Sequence, residues 1–72
     1  MTDKIKLNRI KAVLVENDKS IGELCEAIGK SRPTISRWCS NDIQPTLDSL
    51  FDIAEFLGVT THDLIYPERK KA

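Results

Sequence analysis

The stretch that most constrains this chain is residues 20–38, SIGELCEAIGKSRPTISRW, two short helix patterns hinged at a glycine. Ser20 is placed to cap a helix, and Glu23 three residues later completes a reciprocal capping box. Leu24, Cys25 and Ile28 then mark one apolar stripe at helical spacing. Gly29 stands where a helix must stop in a left-handed turn, which glycine adopts without steric cost. Ser31 can cap a second helix almost at once, and Pro33 is tolerated in its first turn. Two helices joined by a short turn containing glycine is the sequence form of a helix-turn-helix.

The rest of the chain reads as further short helices. Leu7, Ile10, Val13 and Leu14 predict a first helix over residues 7–16. Residues 21–28 and 32–40 form the second and third. Asn41 can take the left-handed position that ends the third, before a loop to Pro45. Thr46 caps a fourth helix, with Asp48 favourably placed near its positive end. Its expected inward stripe is Leu47, Leu50, Phe51, Ala54 and Leu57, and Gly58 ends it. Thr60 and Asp63 suggest a last helix over residues 61–65. No segment alternates with period two for long enough to predict a strand. The expectation is an all-α, compact five-helix domain over residues 7–66, with an N-terminal arm (1–6) and a basic tail (67–72).

At 72 residues the chain is expected to form one small domain, near the lower limit for a core without staples. A hydrophobic content of 40% with 31% charged residues is ordinary for a globular helical protein and argues against wholesale disorder. No stretch approaches the ~18 apolar residues of a membrane span, and no signal-peptide core is present. Cys25 and Cys39 form neither a CxxC pair nor a ligand group with other residues. They read as small buried hydrophobes in a reducing, cytoplasmic setting.

The net charge is zero, but its signs are segregated. Lys4, Lys6, Arg9 and Lys11 face only Asp3 in the first eleven residues, and Lys30, Arg32 and Arg37 face only Asp42 around the third helix. Acids gather at Glu16, Asp18, Glu23 and Glu26, and again at Asp48, Asp52, Glu55 and Asp63. A neutral protein so divided can turn one face to phosphates, although a solvated mixed surface explains the charges equally well.

On the third helix, Ile35, Trp38 and Cys39 lie at i, i+3, i+4 and face inward. Pro33, Ser36, Arg37 and Ser40 then point outward, with Arg32 on the flank of the first turn. Arginine is the usual bidentate partner of guanine O6 and N7, serine bonds several base edges, and the Pro33 ring could meet a thymine methyl. The Trp38 ring is either central to the core or partly exposed, since a buried indole N–H needs an acceptor.

Over residues 7–66 the sequence resembles the Cro and lambda-repressor-like helix-turn-helix family, also called the XRE family. The matching residues are Ser20, Glu23, Leu24, Cys25, Ile28 and Gly29, then Ser31, Thr34, Ile35, Ser36, Arg37 and Trp38. Pro45, Thr46, Leu47, Leu50, Ile53, Ala54, Leu57, Gly58 and Val59 follow. The resemblance implies five helices, the third in the major groove of double-stranded DNA. By position it makes Arg32, Pro33, Ser36 and Arg37 base-reading residues. Lys30, Thr34, Ser40, Asn41 and Gln44 become phosphate contacts. The chain departs from the family at three places. Ile21 replaces a phosphate-binding Gln, and Cys25 replaces the usual Ala. Leu14 and Cys39 stand where many members carry a buried Arg–Glu pair; losing both charges together avoids an unpaired buried charge costing on the order of 3–5 kcal/mol.

An enzyme is not expected: the single histidine, His62, has only Thr60 and Thr61 as neighbouring hydroxyls, and both read as caps. No metal-ligand spacing and no cofactor motif is present. The expected function is a transcriptional regulator binding a pseudo-palindromic site, as a weak homodimer through the region of Ile65 and Tyr66. The alternative is a protein-interaction module or an antitoxin with a toxin partner, for which Ile65, Tyr66 and any exposed part of Phe56 could supply a patch.

Overall fold

Asn8 decides how the chain enters its first helix. In the computed structural model, which describes residues 5–71 with side chains as far as residue 69, the Asn8 Oδ1 accepts the Ile10 N–H at 3.1 Å. That bond satisfies one of the donors a helix start leaves open. The helix α1 therefore runs Ile10–Glu16, and Leu7 is not part of it. Lys4 of the expected N-terminal arm and the side chains of Lys70 and Lys71 in the expected basic tail lie outside the described residues.

Leu7 belongs instead to a strand, β1 (Ile5–Asn8), paired antiparallel with β2 (Ile65–Lys71). The register places Ile5 opposite Lys71, Lys6 opposite Lys70 and Asn8 opposite Ile65, with an irregularity between Lys6 and Asn8. The Arg9 N–H continues the contact by donating to the Leu64 carbonyl at 2.8 Å. The all-α, five-helix expectation is thus corrected, among the described residues, to four α-helices, one 3-10 turn and a two-stranded ribbon. The ribbon escaped the sequence because its two partners come from opposite ends of the chain and neither alternates cleanly. The expected fifth helix is the single 3-10 turn Thr61–Leu64. It stops because Ile65 is already extended, and Pro67 holds the residue before it extended too.

The three central helices follow their local signals. In α2 (Ile21–Ile28) the capping box is formed in both directions, Glu23 N–H to Ser20 Oγ at 3.1 Å and Ser20 N–H to Glu23 Oε1 at 3.2 Å. Gly29 ends it at φ 69°, in the left-handed region. Ser31 caps α3 (Arg32–Cys39), and Asn41 takes the expected left-handed position at φ 63°. Thr46 caps α4 (Leu47–Leu57), and Gly58 closes it.

The core is built from Ile10, Val13, Leu14, Leu24, Ile35, Ile53 and Leu64, all nearly inaccessible. Trp38 is buried within it at 5% exposure, which decides between its two sequence alternatives. Cys25 and Cys39 are only half-buried, packed on the edge of this core rather than inside it, and both are free thiols. The stripe expected on α4 is also rotated. Ser49, Ile53, Ala54 and Leu57 face inward, while Leu47 (70% exposed) and Phe51 (54%) face out. Ser49 can be buried because Thr46 Oγ1 lies 3.1 Å from its hydroxyl and accepts its N–H at 3.2 Å. Among the described residues, no helix is long and apolar enough to cross a membrane.

Candidate nucleic-acid interface

The helix α3 is held from beneath by Ile35 and Trp38, which fixes the face it shows to solvent. Arg32, Pro33, Ser36, Arg37 and Ser40 are all exposed, and Thr34 is half-buried. No carboxylate stands on this helix. The guanidinium groups of Arg32 and Arg37 make no ion pair or hydrogen bond among the described residues. The four residues expected to read bases therefore share one open ridge.

Arg32 has a particular seat. A Cβ added at Gly22 would come within 3.0 Å of its Nη2, so the guanidinium lies against the first turn of α2. Gly22 leaves the room that this arginine occupies. Ile21 beside it is half-buried and packs on the core.

The residues expected at the phosphates divide into two groups. Lys30 is exposed, and its ammonium is unpaired among the described residues. Thr34 Oγ1 sits 2.9 Å from the capping Ser31 Oγ, and Ser40 Oγ is 2.9 Å from Asp42 Oδ2 and 3.2 Å from the Arg37 carbonyl. Asn41 and Gln44 turn toward β1 instead. Asn41 Oδ1 accepts the N–H groups of Leu7 and Asn8 at 2.9 and 3.0 Å, and its Nδ2 donates to the Asn8 carbonyl at 3.0 Å. Gln44 Nε2 donates to Asn41 Oδ1 at 3.0 Å, and Gln44 Oε1 accepts from Asn8 Nδ2 at 2.6 Å. Each amide nitrogen keeps one further N–H.

Asn8 is the residue that sequence reasoning missed. It is buried, at 3% exposure, and also donates to the Trp38 carbonyl at 2.9 Å, near the end of α3. Asn8 stands one residue before the N-cap Arg9, and its side chain is engaged by Trp38 and Gln44, more than 30 residues away, so no local spacing signals its role. Through Asn8 the ribbon, the start of α1 and the exit of α3 form one hydrogen-bonded unit. Among the described residues, no buried side-chain nitrogen or oxygen lacks a partner.

Between α1 and α3, Leu14 is fully buried and Cys39 half-buried, so this chain packs apolar groups at those two positions. Burial pushes the Cys39 thiol above the ordinary cysteine range; the Lys11 ammonium opposes that rise and Cys25 adds to it. Among the described residues, no group of His, Cys, Asp or Glu is arranged to hold a metal ion.

Residues 10–64 match the helix-turn-helix family. Among solved structures, a crystal structure of a candidate DNA-binding protein from Bacteroides fragilis is similar to this chain, at 52% sequence identity and a TM-score of 0.82. The match covers 86% of this chain and 98% of that one. No curated protein matches it.

Proposed function

Because this chain belongs to the helix-turn-helix family of the XRE type, we propose that it is a cytoplasmic, sequence-specific transcriptional repressor that acts by binding duplex DNA rather than by catalysis. The observation that carries this reading is the exposed ridge of α3, which holds no acid and two guanidinium groups unpaired among the described residues. Arg32, Pro33, Ser36 and Arg37 read base edges from the major groove. Lys30, Thr34 and Ser40 meet backbone phosphates, which position the helix without specifying sequence. Asn41 and Gln44, engaged by Asn8, contribute through their remaining N–H groups and hold the exit of α3 in place.

The protein works as a homodimer, two α3 helices lying about 34 Å apart on a pseudo-palindromic site. Exposed apolar side chains support a contact between copies. Leu7, Pro45, Leu50 and Ile65 line one cleft beside the ribbon, and Leu47 and Phe51 stand exposed along the same edge of α4 as Leu50. Tyr66, half-buried on β2, adjoins Ile65. A patch of this size suits a weak pair that DNA completes, since small interfaces support transient association.

The test is retention on mixed-sequence duplex DNA at low salt. The expected result is binding that falls steeply as salt rises, with a log–log slope of about −0.9 per neutralised phosphate. A folded protein that passes unretained at the lowest salt contradicts the reading.

A further inference from the structure

A second group of cations is gathered on the other side of α3's exit. Lys6 on β1 and Lys11 on α1 line a cleft with Arg9, Cys39, Asn41 and Tyr66, and no acid is among the residues lining it. Arg9 is already engaged, by Glu16 at 2.9 Å and the Asp63 carbonyl at 2.8 Å. Lys6 and Lys11 are exposed and have no ion-pair partner among the described residues. Two like charges sharing a cleft repel, and a bound anion would relieve that repulsion.

The position of the cleft says which anion. Cys39 stands three residues after Ser36 and seven after Arg32, so these three share one flank of α3. The cleft continues that flank past the end of the helix, and the Lys11 charge is near enough to act on the Cys39 thiol. A helix lying in the major groove has a phosphate strand along each flank. A strand along this one would pass Arg32 at the start of α3 and reach Lys11 beyond its end.

We propose that the cleft between the ribbon, α1 and the exit of α3 seats a DNA backbone phosphate, with Lys11 and Lys6 as its cations and the Tyr66 hydroxyl as a further donor. This rests on the DNA-binding reading above and extends the contact beyond α3 to the first turn of α1 and to the ribbon. The site carries no sequence information; it adds affinity and fixes how the domain sits on the strand.

The experiment compares the wild-type chain with Lys11→Gln, with the double variant Lys6→Gln/Lys11→Gln, and with Lys19→Gln as a control. Lys19 lies over the Phe56 ring beside Glu23, away from the cleft. Binding to a mixed-sequence duplex is measured across a salt series, with circular dichroism confirming that each variant keeps its helices. Lys11→Gln is expected to lower affinity about eightfold at 0.1 M salt and to reduce the slope by about 0.9. The double variant loses more, and Lys19→Gln leaves the slope unchanged. Equal slopes for wild type and both cleft variants overturn the site, as does an equal loss in Lys19→Gln, which would show a net-charge effect. If inorganic phosphate shifts the NMR signals around Lys11 in the free protein while the DNA slope stays unchanged in the variants, the cleft takes a free anion and the DNA assignment is wrong. Absence of any wild-type binding at low salt removes the DNA-binding reading itself, a result separable from all of these.

Discussion

Asn41 acts on Asn8 as a neighbouring strand would: its side-chain oxygen accepts the Asn8 N–H at 3.0 Å and its side-chain nitrogen donates to the Asn8 carbonyl at 3.0 Å. A single amide, set in a left-handed turn after α3, thereby extends the ladder that β1 makes with β2. The exit of α3 and the ribbon are positioned by the same few atoms.

Asparagine serves two purposes at position 41, and substitution separates them. Glycine keeps the left-handed backbone but loses the amide; alanine loses both. Asn41→Ala is expected to destabilise the fold by about 1–2 kcal/mol more than Asn41→Gly, the cost of a left-handed residue with a Cβ. Both should be less stable than wild type, because the buried backbone of Asn8 loses its partners. Urea unfolding checks this, and equal midpoints for the two variants would show that the backbone conformation at 41 costs nothing.

At Gly22, among the described residues, an added methyl group would meet the tip of the Arg32 side chain, at 3.0 Å, and Ser20 Oγ, at 3.7 Å. Gly22→Ala is expected to leave thermal stability unchanged or slightly raised, since alanine favours a helix by up to about 1 kcal/mol. The guanidinium must move, so DNA affinity should change while the fold does not. A variant with wild-type affinity and sequence preference would show that the seat of Arg32 is irrelevant to binding.

The last turn depends on the charge of Asp63. Hydrogen bonds from Thr60, backbone and then hydroxyl, hold its carboxyl below the usual aspartate range, with Arg9 and His62 adding to the shift. A lowered folded-state pKa contributes stability that is present above the unfolded value of about 3.9 and lost as pH falls through the folded value. The wild-type Tm is therefore expected to fall below about pH 4 more steeply than that of Asp63→Asn. Parallel Tm profiles for the two would contradict this.

Leu47 and Phe51 are exposed on α4, and the proposed homodimer gives them a role between copies rather than within one. Leu47→Glu and Phe51→Glu are expected to leave the unfolding midpoint within about 0.5 kcal/mol of wild type, as for exposed positions generally. Sedimentation at micromolar concentration should show a weak wild-type dimer and monomeric variants. A tight wild-type dimer without DNA, or variants that still pair, would place the contact elsewhere.

The helical part of this fold was legible because its signals are local. Ser20 with Glu23, Gly29, Ser31, Thr46 and Gly58 each announce a helix end within a few residues, and the structure places caps at all of them. The ridge on α3 followed from Ile35 and Trp38 in the same way. What the sequence concealed was non-local. Ile5–Asn8 has no strand signal of its own until Ile65–Lys71 lies beside it, and Asn8 reads as surface until Trp38 and Gln44 close over it. The inward face of α4 is not legible in the sequence because Leu47 and Phe51 are apolar like Ile53, and the packing of neighbouring helices selects between them.

Selection of duplexes from a random library, by the wild-type chain and by Arg37→Ala and Lys30→Ala, tests the central claim most directly. Wild type is expected to return an inverted repeat whose halves lie one helical turn, about 34–36 Å, apart. Arg37→Ala should relax preference at one base pair of each half, at a cost of about 1–3 kcal/mol, while Lys30→Ala keeps the sequence and binds all DNA more weakly. A library that shows no enrichment with folded wild-type protein, or an Arg37→Ala profile identical to wild type, would contradict α3 as the reading element.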